Sequence, residues 1–418
     1  MSQAKTRARR FITKGLVMLV GLFFGCVVAE IALRAVGYSY PIFFKTDPRT
    51  GYSPIPNLEG WSWPENKVYV RYNSAGFRDV EHAPAKRANT LRIAVLGDSY
   101  AEGRQVELDS TFWKVLERQL SHSPALAGKD VEVINFGVNG YGTVEELLTL
   151  RQRVWEYSPD IVLLTVTVYN DITDNYKPFK GAAEVPYFNL DSGNLVYDDS
   201  FVKSAKYLWH DSGLFTAWVS AHNHSRLIQL LHHAQFAIKT RLDGWKAQRR
   251  QTEAQKALNA GGPAQPTLKN TASLTDAVGI QNMVYRVPDD SNWNEAWLVT
   301  EALIKQIGAE VTQHAAKFMV ATITSDIQVY PDPAVRQAMM NQLDVKDLFY
   351  PDTRLAGLAD REGFPFLDLA LPMQVAADAK KVFFHGFGRE IGNGHWNEAG
   401  HKIAGELIAS KLEEIIGP

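Results

Sequence analysis

The stretch DIVLLTVTV (160–168) constrains the fold more than any other, because it is almost unbroken in aliphatic and β-branched character. A strand that is apolar on both faces must be covered on both faces, as a central strand of a parallel sheet is. The chain around it keeps a matching rhythm. LRIAVLG (91–97) and VEVINFG (131–137) read as strands, while FWKVLERQL (112–120) and EELLTLRQRVWEY (145–157) read as helices. Such alternation predicts an α/β fold with helices on both sides of a parallel sheet. It resumes late in the chain with a helix over 293–315, strand KFMVATIT (317–324), a strand end in FPFLDLA (364–370) and the amphipathic helix EAGHKIAGELIASKLEEII.

Between about residues 176 and 288 the rhythm breaks, which predicts an insertion. RLIQLLHHAQFAIKTRL (226–242) has helical character, and the polar stretch 246–273, with Gly and Pro near its middle, reads as a mobile loop. Residues 38–90 are rich in Pro, Gly and aromatics and read as an ordered connector with short strands, VYVRYN among them.

The N-terminus carries a different signal. Lys5, Arg7, Arg9, Arg10 and Lys14 precede GLVMLVGLFFGCVVA, and no acid occurs before Glu30. A bilayer core requires about 20 mostly apolar residues in a helix. Residues 15–36 meet this length if Glu30 and Arg34 pair near the far interface. Basic flanks stay in the cytoplasm. The expectation is therefore a cytoplasmic tail (1–14), a retained single-pass anchor (15–36) in the inner (cytoplasmic) membrane, a connector (37–90), and a domain (91–418) in the periplasm or cell exterior. A cleaved signal peptide is the rival reading, but no small-x-small site ends a short apolar core.

Composition excludes some classes. With a net charge of −2 over 418 residues, nothing points to a nucleic-acid partner. Cys26 is the sole cysteine, so no intrachain disulfide or zinc–cysteine cluster is possible. His222, His224, His232 and His233 lack acidic or cysteine partners at ligand spacing, and no metal or cofactor is expected.

Ligands in parallel α/β sheets gather at the carboxyl ends of the strands. Those ends carry Gly97-Asp98-Ser99, then NFGVNGYG (135–142), then Tyr169-Asn170-Asp171, and NGHWNEAGH (393–401) precedes the last helix. The set suits acyl transfer. Ser99 would be the nucleophile and His395 the base that takes its proton. The backbone N–H groups of Ser99 and Gly140 and the amide of Asn170 would form the oxyanion hole. Asp98, Asn393 and Asp171 are expected to support these loops, as are Asp174 and Asn175 beyond the third strand.

GDSYAEG after a strand, NFGVNGYG, YND and a late GHWN together resemble the SGNH (GDSL-type) hydrolase superfamily over roughly 91–418. The resemblance implies a flavodoxin-like three-layer α/β/α sandwich and the roles just given for Ser99, Gly140, Asn170 and His395. Two positions depart from the pattern. Val168 stands where the family has a glycine two residues before the asparagine. Gly392 stands where many members carry an aspartate three residues before the histidine. That leaves a Ser–His dyad, a backbone carbonyl, or a distant carboxylate such as Glu390 or Asp368 to orient the imidazole.

Each residue has a plainer reading. Ser99 could be a helix N-cap, Asn170-Asp171 a capping pair, Gly140 a turn glycine, His395 a structural hydrogen-bonder, and His401 a packing residue. The aromatics at 61–72 could stack on sugars or simply pack. The expected activity is ester hydrolysis, on acyl or acetyl groups of envelope or exported polysaccharide or on another ester. The rivals are an O-acyltransferase using the same site and a catalytically silent envelope protein that binds glycan or assembly partners.

Overall fold

A computed structural model describes residues 2–259, 274–275 and 278–417. The chain separates into two compact units. One comprises the described residues of Met1–Ile42 and Ser212–Ala264, the other those of Phe43–Asp211 and Gln265–Pro418.

The larger unit is built on a five-stranded sheet in the order β11-β10-β7-β5-β6. Its strands are β5 (Thr90–Leu96), β6 (Asp130–Asn135), β7 (Ile161–Thr167), β10 (Lys317–Ile323) and β11 (Phe366–Asp368). All pairings are parallel, with Ala94 opposite Val162 and Val320 opposite Leu164. The order corresponds to the flavodoxin-like 2-1-3-4-5, whose direction of winding reverses between β5 and β7. Helices cover both faces.

Alternation along β5 divides its side chains. Ile93 and Val95 face helices Phe112–Ser121 and Glu398–Ile416 through Phe112, Leu116 and Ile408. Ala94 and Leu96 face helices Thr143–Gln152 and Ser291–Gln313 through Leu147, Trp297 and Leu303. In β7 every residue is buried, as its apolar run requires.

Three hairpins lie outside the sheet. They are β1 (Phe44–Asp47) with β2 (Gly51–Pro54), β3 (Glu59–Ser62) with β4 (Val68–Arg71), and β8 (Tyr187–Asp191) with β9 (Asn194–Asp198). The expected boundary at residue 90 is not a structural one, because residues 43–90 belong to the larger unit. The expected insertion is likewise divided, with Tyr187–Asp198 in the larger unit and the described residues from Ser212 to 259 in the smaller. Helices Pro333–Leu343, Tyr350–Glu362 and Ala370–Lys380 escape the sequence reading. The polar stretch read as a mobile loop is helical to Asn259, and its remainder lies outside the described residues.

In the smaller unit, helix Ser2–Ala35 contains a segment, Arg9–Ala35, long and apolar enough to cross a membrane. The expected tail is part of this helix. The expected pair is present, with Arg34 Nε 2.8 Å from Glu30 Oε1. His222 lies buried, its Nε2 3.1 Å from His232 Nδ1, and no metal-binding group occurs among the described residues.

One buried carboxyl in the larger unit makes stability depend on pH. Burial, together with the nearby Asp368 carboxylate, pushes Asp352 from its ordinary 3.8 up to about 8, although Gln328 Nε2 donates to it at 2.7 Å. The folded state thus binds a proton that the unfolded chain releases, so this contribution is full below 3.8 and is lost towards 8. Asp352→Asn keeps an acceptor for Gln328 and removes the titration. Across that window the melting temperature of the wild type should fall more steeply than that of the variant. Parallel curves would show that Asp352 does not carry the effect.

Candidate active site

The site assembles where the β5 and β7 ends meet the loop before the last helix. Ser99 opens the four-residue helix Ser99–Glu102, and Asp98 rather than Ser99 caps it, accepting the Tyr100 N–H at 2.9 Å. Its hydroxyl is therefore left for another partner. Ser99 Oγ lies 2.7 Å from His395 Nε2.

The third member comes from outside the expected set. His395 Nδ1 lies 2.5 Å from Glu65 Oε1, and the His395 backbone N–H donates to Glu65 Oε2 at 2.9 Å. One carboxylate thereby holds both the ring and the backbone of the same histidine. With Nδ1–H donated to a carboxylate, Nε2 is the lone pair facing Ser99, a tautomer assigned from these partners. Partial burial pushes the Glu65 carboxyl up, but the hydrogen bonds and charge of His395 outweigh it and hold it below its ordinary value. Neither carboxylate expected to orient the ring does so. Glu390 is exposed, and Asp368 accepts the Ala370 N–H at 2.7 Å at the end of β11.

Glu65 stands in the loop between β3 and β4, a segment read from the sequence as connector. Its φ of +60° is uncommon for a residue with a side chain. Asn66 Nδ2 donates to Gln105 O at 2.9 Å and pins this loop beside the turn that carries Ser99. On the other side Gly394 has φ +88°, and a Cβ there would come 2.7 Å from Glu65 Oε2. A bare glycine is what lets the carboxylate approach the His395 backbone.

The loop bearing His395 is held from below. Gly394 N donates to Asp326 Oδ2 at 3.1 Å, and Gly394 O accepts from His385 Nδ1 at 2.6 Å. Thr324 Oγ1 accepts from Trp396 Nε1 at 2.9 Å and lies 3.0 Å from His385 Nε2. Burial holds His385 down to about 3, so the ring stays neutral and bridges the two. His401 is a packing residue, with Nδ1 accepting the Phe112 N–H at 3.2 Å. Asn393, expected as support, is exposed and contributes a backbone turn to Glu390 rather than a contact with His395.

The expected oxyanion donors converge on the same cavity of about 350 Å³, lined by Ser99, Gly140, Tyr169, Asn170, Asp326 and His395. Gly140 has φ +80°, and a Cβ there would meet Tyr52 Oη at 2.6 Å. Among the described residues no carbonyl accepts the backbone N–H of Ser99 or Gly140. Asn170 occupies an N-cap position, but its side chain caps nothing. Instead its Nδ2 donates to Asp98 Oδ2 at 3.2 Å. Asp171 is fully buried and accepts the Thr167 N–H at 2.7 Å. Asn175 ties this loop to helix Thr143–Gln152, its Oδ1 accepting the Val144 N–H at 3.2 Å.

Glu102, inside the quoted GDSYAEG but not singled out from sequence, joins the parts. Its buried carboxylate accepts from Tyr72 Oη at 2.5 Å and from Asn139 N at 3.1 Å, and pairs with Arg104 Nε at 3.1 Å.

No family model matches the chain, and no curated protein matches it. Solved structures do. They include a putative lipolytic protein of the G-D-S-L family from Desulfitobacterium hafniense DCB-2, at 12% identity and TM-score 0.33, covering 77% of this chain and 99% of that one. The acetyl xylan esterase AlAXEase matches at 9% identity and TM-score 0.37, covering 78% of this chain and 100% of that one. A catalytic mutant of Axe2, an acetylxylan esterase from Geobacillus stearothermophilus, matches at 10% and 0.35, with 78% and 94% covered. Scores this low carry no argument about function, which rests on the side-chain geometry.

Tyr72→Phe removes one donor from the buried Glu102 carboxylate at constant shape. Stability should fall by about 1–3 kcal/mol, seen as a lower urea midpoint with an unchanged slope. An unchanged midpoint would mean that Glu102 does not depend on this donor.

Proposed function

We propose that this chain is a serine esterase of the SGNH type, with Ser99 as nucleophile, His395 as general base and Glu65 as the acid behind it. The observation that carries this reading is the continuous relay from Ser99 Oγ through His395 to Glu65, at 2.7 Å and 2.5 Å. As His395 Nε2 takes the hydroxyl proton, Ser99 Oγ bonds to the ester carbonyl carbon and the carbonyl oxygen becomes an oxyanion. The N–H groups of Ser99 and Gly140 and the Asn170 amide would stabilise that charge, each donor being worth about 10²–10³ in rate. Collapse breaks the bond to the alcohol, which leaves with the proton from His395. Water, deprotonated by His395, then attacks the acyl-enzyme and releases the acid.

Glu65 stabilises the imidazolium formed in both steps and fixes the ring tautomer. It also removes the ground for a silent binding protein, since that alternative drew its weight from a histidine without an acidic partner. Hydrolysis is favoured over transfer by access to water, because the side chains of His395 and Glu65 are 24% and 28% exposed. The cavity's polar lining, with Tyr169, Gln281, Ser325 and Asp326 beside the nucleophile, suits a hydroxyl-rich acylated carbohydrate. With the apolar helix as an inner-membrane anchor, the substrate would be an acylated polysaccharide of the envelope or one in export.

A fluorophosphonate probe should label the wild type and not Ser99→Ala, whereas labelling of both or neither would overturn the assignment. Glu65→Gln should lower kcat for an acetyl ester by about 10²–10⁴ with little change in KM, as loss of tautomer control and charge does in such relays. Wild-type kcat in that variant would remove Glu65 from the mechanism.

A further inference from the structure

The smaller unit has a surface that esterase chemistry does not use. We propose that the first twenty or so residues of helix Arg226–Asn259 lie on the bilayer and dock an apolar stripe into an anionic phospholipid leaflet. This rests on reading residues 15–36 as a membrane span.

The first observation is a tether. Glu30, in the last turns of the apolar helix, accepts the backbone N–H groups of Arg226 at 3.0 Å and Leu227 at 2.9 Å, and the Ser225 hydroxyl at 3.0 Å. Its carboxylate thus satisfies the unpaired N–H groups at the start of the second helix. Arg34 donates to His224 O at 2.5 Å, and Tyr40 stacks on His233 with ring centroids 4.1 Å apart. The second helix therefore begins at the level where the span leaves the hydrocarbon.

The second observation is the surface itself. Leu231, Ile238, Leu242 and Trp245 are 63%, 59%, 52% and 57% exposed. Their spacings of seven, four and three residues place them on one face. Lys239 and Arg241 flank that stripe and are exposed. Water offers such a stripe nothing, whereas the boundary between headgroups and acyl chains takes the apolar residues and leaves the flanking cations among phosphates. Trp245 is the residue type that collects at that boundary. The charges at Lys239 and Arg241 oppose burial of this helix in the hydrocarbon, so it lies on the membrane rather than across it.

The test uses the full chain with Cys26→Ser and one introduced cysteine bearing an environment-sensitive fluorophore. The protein is reconstituted in phosphatidylcholine vesicles with or without phosphatidylglycerol, containing lipids that carry a shallow or a deep nitroxide quencher. Ile238→Cys should be quenched by the shallow nitroxide, Thr240→Cys on the polar side should not, and Leu19→Cys should be quenched by the deep one. Lys239→Glu with Arg241→Glu should reduce shallow quenching at position 238 roughly two-fold in phosphatidylglycerol vesicles only. Deep quenching at position 19 with none at 238 overturns the proposal and leaves the span standing. Absence of quenching at 19 overturns the span and the proposal with it. Protection at 238 that follows crosslinking between copies assigns the stripe to a second chain and also overturns it. The proposed esterase activity of the same samples is unaffected by any of these outcomes.

Discussion

The buried carboxylate of Glu102 is shared by parts of the chain that would otherwise have no reason to meet. Tyr72 reaches it from the strand that follows the Glu65 loop, Asn139 from the glycine turn, and Glu102 itself rides on the helix that Ser99 opens. Arg78 adds a second clasp, donating to Glu102 O at 2.8 Å and Val106 O at 2.5 Å. A buried carboxylate is costly unless its lone pairs are used. Meeting that requirement ties the turn of Ser99, the glycine turn at Gly140 and the hairpin that carries Glu65 to one another. The sheet supplies the platform, but this one side chain sets the spacing of what stands on it.

The sheet and four of the residues that line the cavity were legible because their signals are local. Ser99 and Asn170 each follow a nearly continuous apolar run within a few residues, and Gly140 follows the more mixed strand VEVIN. His395 is legible through the helix that Asn397 caps, accepting the Ala399 and Gly400 N–H groups at 3.0 and 3.1 Å. Glu65 had no comparable signal. It is 330 residues from His395, in a hairpin outside the sheet, and only tertiary packing brings it there. The stretch WSWPENK did hold a trace of it: a lone carboxylate in a Pro-containing turn between alternating segments. The SGNH-like pattern instead points to an acid three residues before the histidine, where this chain has Gly392. Glu390 and Asp368 were close in sequence or sheet order, and that closeness did not translate into contact.

The secondary-structure misses have a related cause. Helices Pro333–Leu343, Tyr350–Glu362 and Ala370–Lys380 are short and mix polar with apolar residues, so their periodicity is weak. Each is marked by its ends instead. Asp332 caps the first by accepting the Ala334 N–H, and all three close on a residue of positive φ: Asp344, Gly363 and Lys381. Only glycine among these announces such a stop in sequence. Residues 43–90 conceal their place in the larger unit for another reason. A segment without long periodic elements reads as a connector, yet Phe43, Val68, Val70 and Tyr72 form a small core of their own.

The carboxyl groups around Asn170 pose an electrostatic problem, because burial disfavours the charged form of each. Asp98, Glu146 and Asp171 are all buried behind the proposed oxyanion donors, where negative charge would oppose the developing oxyanion. Among the described residues Glu146 has no hydrogen-bond partner for either oxygen, and burial, compounded by the nearby Asp98 carboxylate, pushes it well above the carboxylate range. Burial and the neighbouring Glu146 do the same to Asp171. Burial raises Asp98 as well, but the Tyr100 N–H and the Asn170 amide both favour its charged form. Like charges this close cannot all ionise. All three are thus held above the ordinary carboxylate range, Asp98 against two hydrogen bonds that favour its anion. The fewer of these groups that ionise, the less the layer opposes charge developing at the proposed oxyanion donors.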